Sequence, residues 1–279
     1  MARRHDLLLM ENELVFRIPA DAHTYDGFQR WLESDEFPET ARIDFLGGEI
    51  DVDTGWDDLS LVIPADAHTF EGFWRWVESD EFPESGRIDF LGGEIEADMS
   101  PEDLYTHGAL KVEIVAVLVE LVKRTSQGDV QSDRSRFKSP FARATTEPDV
   151  IAVFRESIES GRVRLVPSTR RKRQDRILAF EGAVDLIVEI VSDSSVGKDL
   201  DRLPPFYARA GVRELWLLDA RKADVRFDLL TLQEGAYVTV PPDTDGWRRS
   251  PCLERAFRLQ RFHEPPFPWR YVLEHKSAV

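Results

Sequence analysis

A short apolar strand with carboxylates set inside it constrains this chain more than any other feature. Between Val184 and Val191 every residue is aliphatic except Asp185 and Glu189. The run is too short to cross a membrane and rich in branched side chains, which reads as a buried strand. A carboxylate held there without a partner costs several kcal/mol or takes up a proton, so Glu189 must face a cation, a metal or a donor network. An arginine at the sheet edge would satisfy it as well as a ligand role would.

A second acidic strand end points toward metal. In ATTEPDVIAVF, Pro148 cannot donate to a ladder and marks a strand beginning, and Asp149 stands at the mouth of the apolar run Val150 to Phe154. Two strands that each contribute a carboxylate suit a hard divalent cation, Mg2+ or Mn2+, with water completing its shell.

The first third of the chain is an internal repeat. Ile18 to Ile50 returns as Ile63 to Ile95 at an offset of 45 residues with few changes. Two units are too few for a solenoid, so the pattern reads as a tandem duplication. In each copy Thr24 or Thr69 caps a short helix carrying Phe28 and Trp31, or Phe73 and Trp76, and a hairpin follows around Gly47-Gly48 or Gly92-Gly93. Only the second copy runs on into a long amphipathic helix with His107, Leu110, Ile114, Leu118 and Leu121, starting at Ser100 or Pro101. Residues 1–60 are therefore expected to form an acidic appendage, packed or loose, and 61–279 the main domain.

The single cysteine, Cys252, excludes an intrachain disulfide framework and fits a reducing cytoplasm; no stretch is long and apolar enough for a membrane span, and no signal peptide is evident. A net charge of −16 argues against nucleic-acid binding, yet the acid concentrates in the first hundred residues. The stretch Gly161 to Arg176 is basic, and its run Arg170, Arg171, Lys172, Arg173 is either a solvated loop or a phosphate-contacting one.

The ordered set of Glu94 in FLGGEI, His107 in the next helix, Pro148-Asp149, Glu189 in VEIVSDSS, the helix end Tyr207 to Val212 and the strand ELWLLD resembles the Uma-two family of restriction endonucleases. That family lies within the PD-(D/E)XK nuclease superfamily, and the match covers roughly residues 61 to 275. The resemblance implies an α/β fold, a restriction-endonuclease-like mixed β-sheet flanked by helices, to which the repeat adds a duplicated N-terminal helix-hairpin segment. It implies a metal-dependent endodeoxyribonuclease with DNA as partner; since cleavage of both strands is most simply done by two sites, a homodimer is a further expectation, although the sequence carries no interface signature. Asp149 and Glu189 would hold Mg2+ or Mn2+, Glu94 would assist the metal or its water, and His107 would be an accessory. Arg170, Arg171, Lys172 and Arg173 would contact the phosphates.

The chain departs from the pattern at the basic residue. The superfamily places a lysine two residues beyond the acidic one, where this chain has Val191; the family often displaces it to about four residues before the helix tyrosine, where this chain has Leu203. Lys198 and Arg202 are the nearby candidates, and Lys198 is the one expected to support the attacking water. The missing lysine also motivates a competing reading, a catalytically silent binding or interaction module on the same fold.

Overall fold

The computed structural model describes residues 15–38, 42–53, 60–83, 86–98, 100, 102–169 and 176–277. Arg170, Arg171, Lys172 and Arg173 lie outside the described residues. The chain divides into two compact units: Met1–Pro101 with Arg143–Thr146 and Ser168–Gln174, and Glu102–Ala142 with Glu147–Pro167 and Asp175–Val279.

The first unit contains both sequence copies. One contributes strand β1 (Val15–Ile18), helix α1 (Tyr25–Leu32) and strands β2 (Arg42–Leu46) and β3 (Glu49–Asp53). The other contributes β4 (Ser60–Ile63), α2 (Phe70–Val77), β5 (Arg87–Leu91) and β6 (Glu94–Asp98). Thr24 and Thr69 cap the helices, accepting from Gly27 N at 3.1 Å and Gly72 N at 3.0 Å. Both central glycines of each hairpin have positive φ, which a side chain would resist.

The copies are joined by reciprocal strand exchange. β1 of the first copy pairs antiparallel with β6 of the second, Ile18 opposite Ile95, and β4 of the second pairs antiparallel with β3 of the first, Ile63 opposite Ile50. One core results, holding Ile18, Phe28, Trp31 and Ile50 from the first copy with Ile63, Phe73, Trp76 and Ile95 from the second. The rings of His23 and His68 meet with centroids 4.7 Å apart. The first copy is thus packed rather than loose. The two leading strands, Val-Phe-Arg-Ile and Ser-Leu-Val-Ile, both end in the isoleucine that each exchange buries.

Burial, only partly offset by a 3.3 Å contact with Gly48 O, lowers the His23 pKa to about 4. Its folded value lies below its unfolded one, so the unfolded chain binds more protons between the two. The associated stability is fully present above about pH 6.5 and is lost as the pH falls through the folded value. We expect up to about 3 kcal/mol to disappear between pH 6.5 and 4. Urea midpoints measured across that window should slope in the wild type and flatten in His23→Gln.

The second unit is built on a six-stranded sheet in the order Ala236–Thr239, Arg226–Gln233, Glu214–Asp219, Leu186–Ile190, Val150–Phe154, Gly128–Ser132. Leu186–Ile190 runs parallel to Glu214–Asp219, and the other pairings are antiparallel. The parallel pair needs a crossover, supplied by the helix Leu203–Ala210, which has its prolines in the first turn and ends on Gly211 with φ 83°. This is a mixed α/β fold with few helices, consistent with a restriction-endonuclease-like one.

Against one face lies the helix Leu110–Leu118, extended by wider turns at Leu104–Ala109 and Val119–Lys123. Its Leu110, Ile114 and Leu118 enter a core with Val150, Val188, Trp216 and Leu218. The N-cap is Asp103, which accepts from Tyr105 N at 3.0 Å and Thr106 N at 2.6 Å, so the helix begins later than Ser100 or Pro101. A carboxylate can satisfy two of the free N–H groups there. A C-terminal three-stranded sheet, Arg248–Ser250, Arg255–Glu264 and Phe267–Ser277, adds Phe257, Tyr271 and Leu273 to this core. Among the described residues no helix is long and apolar enough to cross a membrane.

Candidate metal centre

The antiparallel pairing of Val150 with Val188 sets Asp149 and Glu189 at opposed positions on neighbouring strands. Both side chains are buried. Asp149 N donates to Glu189 Oε2 at 3.4 Å, and Ile190 N donates to Asp149 Oδ2 at 2.7 Å. The other Glu189 oxygen, Oε1, accepts from Tyr207 OH at 2.6 Å. The helix Leu203–Ala210 thereby fixes the strand carboxylate it follows.

The remaining Asp149 oxygen faces cations from the helix opposite. His107 and Lys111 are four residues apart, so one helical face carries both. His107 Nε2 lies 3.3 Å and Lys111 Nζ 3.2 Å from Asp149 Oδ1. Glu102, just upstream, closes the cluster: its Oε2 is 3.0 Å from His107 Nδ1 and 2.9 Å from Lys111 Nζ. The His107 Nδ1 approach is close but poorly aligned for a hydrogen bond. Lys111 also reaches Asp133 Oδ1 at 2.8 Å.

The electrostatics follow from this crowding. Burial works against the His107 charge, but the Asp149 and Glu102 carboxylates outweigh it and raise the imidazole pKa to about 9. Burial likewise opposes the Lys111 charge, and its three carboxylates still raise its pKa. Glu102 is pushed up by burial and pulled down further by His107 and Lys111, to about 2.

Glu102, His107 and Asp149 each offer a ligand atom, all within 4.8 Å of one another. The Glu102 side chain is half exposed, which leaves a way in from solvent. Asp149 and Glu102 offer oxygens of the kind Mg2+ or Mn2+ prefers, His107 adds a nitrogen that softer divalent ions accept, and Glu189 lies beside Asp149 on the neighbouring strand. The residues fit a divalent cation, which would compete with Lys111 and His107 for Asp149 Oδ1.

The structure therefore brings together Asp149, Glu189 and His107. Lys198 opens the turn Lys198–Arg202 and is buried rather than directed at solvent. Val191 and Leu203, the pattern positions for the lysine, are buried apolar residues. Glu94 belongs to the other compact unit, at the start of β6, with Arg17 Nη1 of the exchanged strand β1 at 3.9 Å from its Oε2. Sequence reasoning passed over Glu102, Lys111 and Asp133. The i, i+4 spacing of His107 and Lys111 was the signal for one of them; nothing local marks the other two.

Asp185, the other carboxylate of the central strand, does different work. It accepts from Phe154 N and Ser157 Oγ, each at 2.7 Å, and pairs with Arg162 at 2.5 Å and Arg213 at 3.1 Å. Asp219 is a turn residue, accepting from Arg221 N at 3.1 Å.

Among solved structures, the chain is similar to a protein from Anabaena variabilis ATCC 29413 described as a "putative nuclease belonging to DUF820". The identity is 18%, the TM-score is 0.49, and the alignment covers 66% of this chain and 90% of that one. No curated protein matches the chain. The family Uma2, described as "Putative restriction endonuclease", matches residues 70–261, a span that contains Asp149, Glu189, His107 and Lys111. The chain belongs to the Uma2 family.

Proposed function

We propose that the chain is a divalent-metal-dependent endonuclease that hydrolyses phosphodiester bonds of DNA. The observation that carries this is the pair of opposed buried carboxylates, Asp149 and Glu189, with two cations, Lys111 and His107, within 3.3 Å of an Asp149 oxygen. In this reading Asp149, Glu189 and Glu102 hold Mg2+ or Mn2+, and Glu94 assists the metal or its water. A bound divalent ion would polarise the phosphate and lower the pKa of a water. Lys111 would neutralise charge that develops on the phosphate oxygens, and we assign Lys198 the same task. His107 is an accessory that orients Asp149, and Tyr207 holds Glu189 in place. Arg170, Arg171, Lys172 and Arg173 supply phosphate contacts.

We assign residues 61–279 to the nuclease domain and 1–60 to a duplicate of the helix-hairpin segment that begins it, a division by sequence descent rather than compactness. Cleavage of both strands is most simply done by a homodimer. The lone thiol of Cys252, raised in pKa by burial, fits a cytoplasmic protein.

One observation favours a catalytically silent module instead. Lys111 and His107 lie beside Asp149 as counter-ions that a structural carboxylate would need, and Val191 and Leu203 stand where the pattern has lysine. The two readings separate in one experiment: isothermal titration of Mg2+ and Mn2+ into the wild type, Asp149→Ala and Glu189→Ala, with plasmid nicking followed in the same samples. Binding and nicking in the wild type, lost together in both variants, is the expected result. Binding unchanged by either variant, with no nicking anywhere, would leave the silent module.

A further inference from the structure

The two copies in the first unit end differently at their outer edges. β2 and β5 have the same sequence, Arg-Ile-Asp-Phe-Leu. The outer edge of β5 accepts the strand Ala144–Thr146 antiparallel, Phe90 opposite Thr145 and Leu91 opposite Ala144, and Gly92 N donates to Arg143 O at 2.9 Å. β2 ends its own three-stranded sheet, and among the described residues no strand pairs with its outer edge. The side chains follow the backbone. Leu91 and Phe70 are 2% and 6% exposed in the second copy, whereas their equivalents Leu46 and Tyr25 are 77% and 67% exposed in the first. An identical edge is thus filled in one copy and, among the described residues, unpaired with any strand in the other, with apolar side chains standing beside it. Open edges of this kind are templates for another strand.

We propose that the outer edge of β2, with Leu46 and Tyr25, is a docking site for an extended basic segment of a partner protein. The segment would add as a fourth strand, as Ala144–Thr146 adds to β5, with small or β-branched residues opposite Phe45 and Leu46. Its charge follows from the acidic copy that carries the edge, since Val15 to Asp53 has ten carboxylates against three arginines. Such a field favours a positively charged segment and repels an acidic one. The strand that fills the equivalent edge follows Arg143 in Ser-Pro-Phe-Ala-Arg-Ala-Thr-Thr. This inference is independent of the nuclease reading.

The probe is a fluorescein-labelled synthetic peptide with the sequence of Ser139 to Thr146, titrated against the full-length protein by fluorescence anisotropy. We expect saturable binding that weakens as salt is raised and falls at least tenfold in Leu46→Asp. A peptide carrying Arg143→Glu should also bind more weakly. Leu46 is exposed, so its variant should keep the wild-type circular dichroism, and Tyr25→Ala gives a second disruption that adds no charge. Absence of saturable binding, or equal binding by wild type, Leu46→Asp and Tyr25→Ala, overturns the proposal. Self-association in sedimentation that Leu46→Asp abolishes would make the occupant a second copy of this chain, and overturns it too.

Discussion

Lys111→Met is expected to lower DNA cleavage by about 10²- to 10³-fold while divalent-metal binding stays intact or tightens. The ammonium of Lys111 lies 3.2 Å from Asp149 Oδ1 and within 3.0 Å of oxygens on Glu102 and Asp133. It is a fixed positive charge beside a carboxylate that we assign to the metal, where charge built up on a phosphate would be stabilised. The same charge competes with an incoming cation for Asp149, so its removal relieves that competition. Methionine keeps an unbranched stem in the buried site and removes only the charged head. Titration calorimetry and plasmid nicking on the one variant separate the two effects. Metal affinity and cleavage falling together would indicate a merely structural lysine, and unchanged cleavage would remove Lys111 from the mechanism. Lys198→Met, measured alongside, shows which of the two lysines the chemistry depends on.

The opposed carboxylates were legible because both signals are local. Pro148 marks where the strand starts, so Asp149 is a strand mouth, and Glu189 stands out in an otherwise aliphatic run. Antiparallel pairing then puts them side by side. The rest of the cluster depends on distance in sequence. Lys111 meets Asp133 across 22 residues and Asp149 across 38, and no short-range pattern encodes either contact. The family pattern sets its basic residue on or after the Glu189 strand, whereas His107 and Lys111 reach Asp149 from the helix packed on the sheet.

Strand exchange was illegible for a different reason. Val-Phe-Arg-Ile and Ser-Leu-Val-Ile both end in isoleucine before Pro-Ala-Asp-Ala-His, so period and composition cannot say which hairpin each strand joins. The exchange has one chemical consequence that a self-paired second copy would lack. It sets Arg17 against Glu94, whereas the equivalent position on β4 is Val62, opposite Asp51 of the first copy. The first copy thus contributes a cation beside an acidic residue that the family resemblance singles out in the second.

Asp185→Ala is expected to cost about 2 to 4 kcal/mol of stability and to leave metal affinity unchanged. Asp185 is fully buried and accepts from Phe154 N and Ser157 Oγ while pairing with Arg162 and Arg213. Alanine removes all four acceptor contacts at once. The two buried donors lose their partner outright, but both arginines are partly exposed and rehydrate, which keeps the cost below that of breaking a fully buried pair. Asp185→Asn retains one acceptor oxygen and should cost less. The site is spared because Asp185 lies four residues from Glu189 along an extended chain, about 13 Å away. Urea unfolding and metal titration of the same variant test both halves. A loss of metal affinity with unchanged stability would mean that the two carboxylates of the central strand have been assigned the wrong way round.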